Sequence, residues 1–242
     1  MTVGPVPRPV TGPRLVTMAQ TPSLDTLVRT RESLHQVAEH VLAAARKRQT
    51  GHFTLRPSPG GFCTPPLQDG RVIAVDHTDI TVTDAGGVRR APLTTVRAAA
   101  DLVGITAGFP TTHGWATPLE PDATLTVDQA AADTVAAWFA LGQRALESLV
   151  ADLADEHPTE PSLFPEHFDL GVTVAEVNYG ASPGDDRIPE PYVYVAPFAG
   201  PPGPDEYWNA PFGAHLTRAR VATSDDALAF FREGHRRLST GA

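Results

Sequence analysis

The run Phe164-Pro165-Glu166-His167-Phe168-Asp169-Leu170-Gly171-Val172-Thr173-Val174-Ala175-Glu176-Val177-Asn178-Tyr179-Gly180 leads through Ser182-Pro183-Gly184-Asp185-Asp186 into Ile188-Pro189-Glu190-Pro191-Tyr192-Val193-Tyr194-Val195. Side chains of a strand alternate between two faces. Phe168, Leu170, Val172 and Val174 therefore share one apolar face, which the core should claim. Two β-rich runs around an acidic, Gly-containing loop read as an antiparallel hairpin. Strands joined by turns rather than crossover helices, in a chain that also carries long helical patterns, define an α+β fold.

Continued without a bulge, the apolar face of that strand carries Glu176 and Asn178, where the pattern asks for Val or Leu. If Asn178 pairs with Glu190, then Glu176 faces Tyr192 and Val174 faces Tyr194, and the two glutamates are diagonal neighbours about 7–8 Å apart at Cβ. Two carboxylates in a partly apolar pocket repel, so one is held protonated and serves as acid or base near neutrality. Glu176 and Glu190 are thus the candidate catalytic pair, with Asn178 and Tyr192 orienting a small-molecule ligand. Two alternatives stay open: the same oxygens hold a divalent cation, or this polar group belongs to a strand end emerging into water beside a tight turn.

His167 and Asp169 point to the face opposite the apolar run. Two apart on a strand, they form either a metal-ligand pair or a base with its orienting carboxylate. A strand-start histidine bonded only to backbone or water is the simpler alternative. The sequence has no His-Glu-x-x-His, no phosphate-cradling glycine loop and no Gly-x-Ser-x-Gly, which removes the readily recognised zinc peptidases, nucleotide enzymes and serine hydrolases. After the proline-rich stretch 199–204, Tyr207-Trp208 is either an aromatic lid over the pocket or the cover of a sheet edge.

Outward from the hairpin, helical periodicity is clear in two places. Thr21 and Pro22 open a helix whose stripe runs from Leu24 through Leu34, Val37 and Val41 to Ala45 and ends in Arg46-Lys47-Arg48. His35 and Glu39 are four apart on its flank, a spacing that allows a local pair. Thr126-x-x-Gln129 reads as the capping box of a second long helix bearing Val135, Trp138, Phe139, Leu146 and Leu149. Short strands are expected at 53–55, 72–75, 80–82 and 88–90, a helix at 95–104, loop over 108–122, and a closing helix opened by Ser224-Asp225-Asp226. His52-Phe53-Thr54-Leu55 before Ser58-Pro59-Gly60 echoes His167-Phe168-Asp169-Leu170 before Ser182-Pro183-Gly184. The echo suggests a degenerate duplication with halves at 21–122 and 123–242, set against chance resemblance of short segments.

The 242 residues, with 41% hydrophobic and 19% charged side chains, are enough for one substantial core. Residues 21–242 read as one domain, and residues 1–20, rich in Pro, Gly and Thr, as a disordered arm. Met18, just before the first helix, is a candidate natural start. A net charge of −9 and no basic stripe argue against nucleic acid. Cys63 is the single cysteine, so an internal disulfide and a Cys-rich zinc site are excluded. No run approaches the roughly 20 apolar residues of a membrane span, and no signal-peptide core is present. A cytoplasmic location without membrane partners is expected.

Thr30-Arg31-Glu32-Ser33-Leu34-His35, Glu166-His167-Phe168-Asp169-Leu170, Pro183-Gly184-Asp185, Ile188 through Val195, and Tyr207-Trp208 together resemble a bacterial family known as domain of unknown function 5996. The resemblance covers about residues 24–238 and is specific over 164–208. It implies a bacterial cytoplasmic protein and carries no catalytic assignment. Together these readings give an α+β domain: two groups of antiparallel strands against two long helices and shorter ones. Its best functional reading is a small-molecule enzyme or binding protein with an acidic and histidine-bearing pocket beside the second hairpin. The rival is a non-catalytic ligand-binding or protein-interaction domain whose polar signature is structural.

Overall fold

A computed structural model describes residues 21–109 and 117–240; the expected N-terminal arm and Met18 lie outside them. The chain executes one plan twice. Helix α1 (Leu24–Val37) continues through a π-helical segment, Ala38–Ala43, into α2 (Ala44–Thr50). A five-stranded meander follows: β1 (Arg56–Ser58), β2 (Gly61–Cys63), β3 (Val72–Asp76), β4 (Asp79–Asp84) and β5 (Gly87–Pro92), closed by α3 (Val96–Val103). The second round is α4 (Gln129–Asp152), then β6 (Ser162–Phe164), β7 (Asp169–Val174), β8 (Val177–Ser182), β9 (Tyr192–Pro197) and β10 (Ala214–Thr217), closed by α5 (Ser224–Thr240). Among the described residues all strand pairs are antiparallel. The α+β reading therefore holds.

The two meanders meet at Leu55 and Leu163, whose backbones exchange hydrogen bonds of 2.7 and 3.0 Å. That pairing makes β1 and β6 counterparts. The repeat thus lies in element order, whereas the residues quoted for the echo do not correspond: His52 precedes β1, but His167 follows β6.

Capping differs from expectation by two residues at each long helix. Ser23, not Thr21, caps α1 by accepting from the Thr26 amide, and Asp128, not Thr126, caps α4 by accepting from the Ala131 amide. The Thr126 amide is instead donated to Ser33 Oγ, and that of Asp128 to Thr30 Oγ1. Polar side chains of α1 thereby tie down the entry to α4. Helix α4 reaches both sheets, and Gly142 permits this closeness, since a Cβ there would lie 2.6 Å from that of Ala181. One core is shared: Leu34, Val37, Leu42, Phe62, Ile73, Phe139, Leu146, Leu170, Val193 and Phe231 are all buried.

The turn between β7 and β8 is where the alternation argument fails. Ala175 and Glu176 form a two-residue connection with φ of 47° and 63°. Left-handed residues in such hairpins are normally Asn, Asp or Gly, so nothing in Ala-Glu announces the turn. Two non-glycine residues held left-handed cost stability, and Ala175→Asn with Glu176→Gly is expected to raise the unfolding free energy by about 1–2 kcal/mol. Urea denaturation would check this; a loss of stability would show that the Glu176 side chain contributes contacts that outweigh the backbone gain.

Tyr207 and Trp208 act as cover, not as a lid. Trp208 is buried, the Tyr207 hydroxyl donates to the Phe230 carbonyl at 2.8 Å, and its ring lies 4.9 Å from that of Phe230. Together they seal α5 onto the sheet. Cys63 is half-buried, and burial pushes its thiol up. Among the described residues no helix is long and apolar enough to cross a membrane.

Candidate functional site

The expected catalytic quartet does not come together. Asn178 pairs with Ala196 and Tyr192 with Ser182, so the register is shifted far from Asn178 opposite Glu190. Glu176 is exposed in the β7–β8 turn, and Glu190 is exposed in the loop before β9. They lie beyond opposite ends of a six-residue ladder that is itself roughly 17 Å long. The physical cause is the unannounced turn: it consumes Ala175 and Glu176 and resets the alternation, so Val177, Tyr179 and Ala181 take the inward positions. Asn178 Oδ1 accepts from the Thr173 hydroxyl across the hairpin at 2.7 Å. No shared carboxylate pocket or cation cage of Glu176, Glu190 and Asn178 is formed.

Of the proposed metal pair, His167 is exposed in the β6–β7 connection, and Asp169 begins β7 and accepts from the Tyr194 hydroxyl at 2.6 Å, with His167 near enough to oppose the rise in the Asp169 pKa. Burial raises the Asp169 pKa, and burial together with the Asp169 carboxylate raises that of Tyr194. Among the described residues, no group of three or more His, Cys, Asp or Glu side chains converges to hold a metal ion.

The signature has a structural side. Tyr194 lies flat across β8 and β7, over Gly180 and Gly171, to reach Asp169. A Cβ on Gly180 would collide with Cζ and the hydroxyl of Tyr194, and one on Gly171 would lie 3.3 Å from that hydroxyl. Tyr192 makes the matching tie, donating to Asp185 Oδ2 at 2.6 Å, while the Arg187 and Ile188 amides bond Oδ1. Burial opposes ionisation of Asp185, yet these donors, with Arg31 nearby, hold its pKa below the ordinary value.

What the fold does assemble is a cleft of about 410 Å³ between α1, the β6–β7 connection and the β8–β9 loop. Its α1 wall carries Arg31 and His35, and beneath them sits Glu39, successive members of one stripe four residues apart. Arg31 is almost wholly buried and donates to the carbonyls of Asp185 and Pro189, pinning the β8–β9 loop. The His35 ring stacks on Phe168 with centroids 5.3 Å apart and planes 11° from parallel. Burial lowers its pKa to about 4, outweighing a ring hydrogen bond to the Pro165 carbonyl, so the imidazole is neutral at neutral pH. Nε2 has no partner, which leaves Nδ1 as the donor to Pro165.

Glu39 and His40 occupy the π-helical segment and are both buried. An extra residue in a helical turn shifts side-chain directions, a device frequent at functional sites. Here it turns two adjacent polar residues inward. Glu39 Oε2 accepts from the Thr117 amide at 2.9 Å and hydroxyl at 2.7 Å, and lies 3.9 Å from His35 Nε2, whereas Oε1 has no partner. His40 is a clasp: Nδ1 accepts from the Phe109 amide and Nε2 is 3.0 Å from the Thr117 carbonyl. Burial pushes its pKa down. Across the cleft, Glu166 is half-buried with Oε2 unpartnered, and burial pushes its pKa up.

Of this site, sequence reading found His35 with Glu39 as a flank pair and His167 as a neighbour. It missed the role of Arg31 and Glu166, and the burial of Glu39 and His40. The available signal was Glu39-His40 within an otherwise apolar stripe. The segments carrying the family resemblance on α1, at 166–168 and at 184–185 all line this cleft.

The antiparallel α+β scaffold thus holds buried polar side chains under a cleft of about 410 Å³. No family model matches the chain, and neither curated proteins nor solved structures provide a match.

Proposed function

We propose that this is a small-molecule enzyme or binding protein whose site is the cleft between α1 and the β6–β7 and β8–β9 loops, rather than a pocket beside the second hairpin. One observation carries the reading. Among the described residues, nine buried side-chain polar atoms lack a hydrogen-bond partner; three belong to residues lining this cleft, His35 Nε2, Gln36 Oε1 and Glu166 Oε2, and a fourth, Glu39 Oε1, lies beneath it. Buried polar groups are nearly always satisfied in native proteins, so such a concentration is what a ligand or its attendant water completes.

The chemistry available is proton transfer. A neutral imidazole held by Pro165 and Phe168 is a proton acceptor with its tautomer fixed, and burial holds the Glu166 carboxyl above the ordinary carboxylate range, where it can carry a proton. The non-catalytic reading draws support from Asp169 and Asp185, whose carboxylates are engaged by Tyr194 and Tyr192 within the fold. Convergence of the resembling segments on the cleft fits membership of domain of unknown function 5996, which we retain as part of the proposal.

Glu166→Gln separates the readings. If Glu166 is kept for function, removing its charge leaves the stability unchanged or raises it; if it is a structural acceptor, the change costs about 1–3 kcal/mol. A thermal-shift screen of small polar metabolites on both proteins completes the test. The expected result is a compound that raises the wild-type Tm by about 2 °C or more and does not raise that of Glu166→Gln. Equal shifts in both proteins would overturn the assignment of the cleft.

A further inference from the structure

Resting on that reading, the polarity of the unpaired atoms narrows the ligand. Gln36 spends its amide N–H groups on the Thr117 hydroxyl, at 2.9 Å, and the Pro118 carbonyl, at 3.1 Å, so the orphan is its oxygen. His35 spends its one ring proton on Pro165, so Nε2 is a bare lone pair. Glu39, with none of its side chain exposed, and Glu166 each leave a carboxylate oxygen unbonded. All four are acceptors, and acceptors cannot satisfy one another.

The donors nearby are already committed. Arg31 Nη1 points at the carbonyls of Asp185 and Pro189, and Nη2 lies 3.8 Å from Glu32. Apart from Arg31, the one guanidinium in the wall is Arg187, exposed at the rim, against the carboxylates of Glu32, Glu166, Asp185 and Asp186. An anion entering here meets excess negative charge and few free N–H groups. A cation meets a floor of acceptors with an aromatic–imidazole stack beside it.

We propose that the cleft takes a small organic cation, an ammonium or guanidinium compound, whose N–H groups are received by Glu166, Gln36 and His35, above the buried carboxylate of Glu39. A volume near 410 Å³ suits a compound of modest size, from a diamine to an amino sugar. A guanidinium presents up to five donors in a planar fork, matching a set of convergent acceptors that no single-donor ligand would satisfy.

Isothermal titration with agmatine, putrescine, succinate and inorganic phosphate tests this. Agmatine is expected to bind the wild-type protein with a Kd below about 1 mM, and Glu166→Gln to weaken it about tenfold or more, equivalent to at least ~1.4 kcal/mol. Affinity should also increase with pH as Glu166, whose pKa burial raises, ionises, and the Glu166→Gln variant should lose most of that dependence. Saturable binding of succinate or phosphate, abolished by Arg187→Ala, overturns the ligand class while leaving the cleft as the site. Absence of agmatine and putrescine binding overturns the ligand class as well. Agmatine binding unaffected by both Glu166→Gln and His35→Gln moves the site elsewhere and overturns the underlying reading with it.

Discussion

Gly180→Ala is expected to lower the unfolding free energy by about 3–4 kcal/mol. The Cβ would overlap the Tyr194 ring and approach the Leu170 carbonyl to 2.6 Å. The backbone oxygen is fixed in the β7–β8 ladder, so the tyrosine must move, and with it goes the Tyr194–Asp169 hydrogen bond of 2.6 Å. Overpacking contributes about 1–3 kcal/mol and a bond to an ionisable carboxyl about 1.5–3, with the two only partly additive because they share one side chain. Tyr194→Phe isolates the second contribution. Chemical denaturation of both variants would check the claim, and a Gly180→Ala protein within about 1 kcal/mol of wild type would mean that Tyr194 does not lie across β8.

The second large effect is acid sensitivity arising from His35. Its folded-state pKa of about 4 is below the ordinary 6.5, so between those values the unfolded chain binds the extra proton. The stabilisation is complete above pH 6.5 and is lost as pH falls toward 4, by a total of about 3 kcal/mol. Glu166 and Asp169 have raised pKa values and contribute with the opposite sign, gaining stability as pH falls. The difference between wild type and His35→Phe removes those shared contributions. Phenylalanine keeps the stack on Phe168 and cannot titrate, so wild type minus variant should fall by about 3 kcal/mol from pH 7 to pH 4. A difference that does not vary with pH would place His35 in water.

Long-range order was more legible in the sequence than local geometry. Apolar stripes on α1 and α4 and β-branched runs in β3, β4 and β9 announced themselves because burial imposes a period on the residues. The two-residue β7–β8 turn did not, because Ala175 and Glu176 adopt left-handed backbone without Asn, Asp or Gly. Missing it placed Glu176 and Asn178 on the wrong face, and the candidate quartet fell with that one error.

The site itself was hidden for a different reason. Periodicity locates a face but not what lies against it: His35 was visible on a flank, while the Pro165 carbonyl, Phe168 and Thr117 that define its environment are remote in sequence. Glu39 and His40 turn inward through a π-helical segment, whereas regular helical spacing would direct one of two adjacent residues away. Glycine at 180 and tyrosine at 194 formed no recognisable motif because their relation exists only across the β8–β9 register.

A crystal structure of the purified protein soaked with a mixture of small polar amines and guanidines, alongside neutral and acidic compounds of the same size, tests the central claim most directly. Density for a bound compound is expected between α1 and the β6–β7 connection, within hydrogen-bond reach of Glu166 and His35. Compounds seated instead in the separate cleft of about 490 Å³ lined by His77 and Asp133, with only solvent beside Glu166, would contradict it.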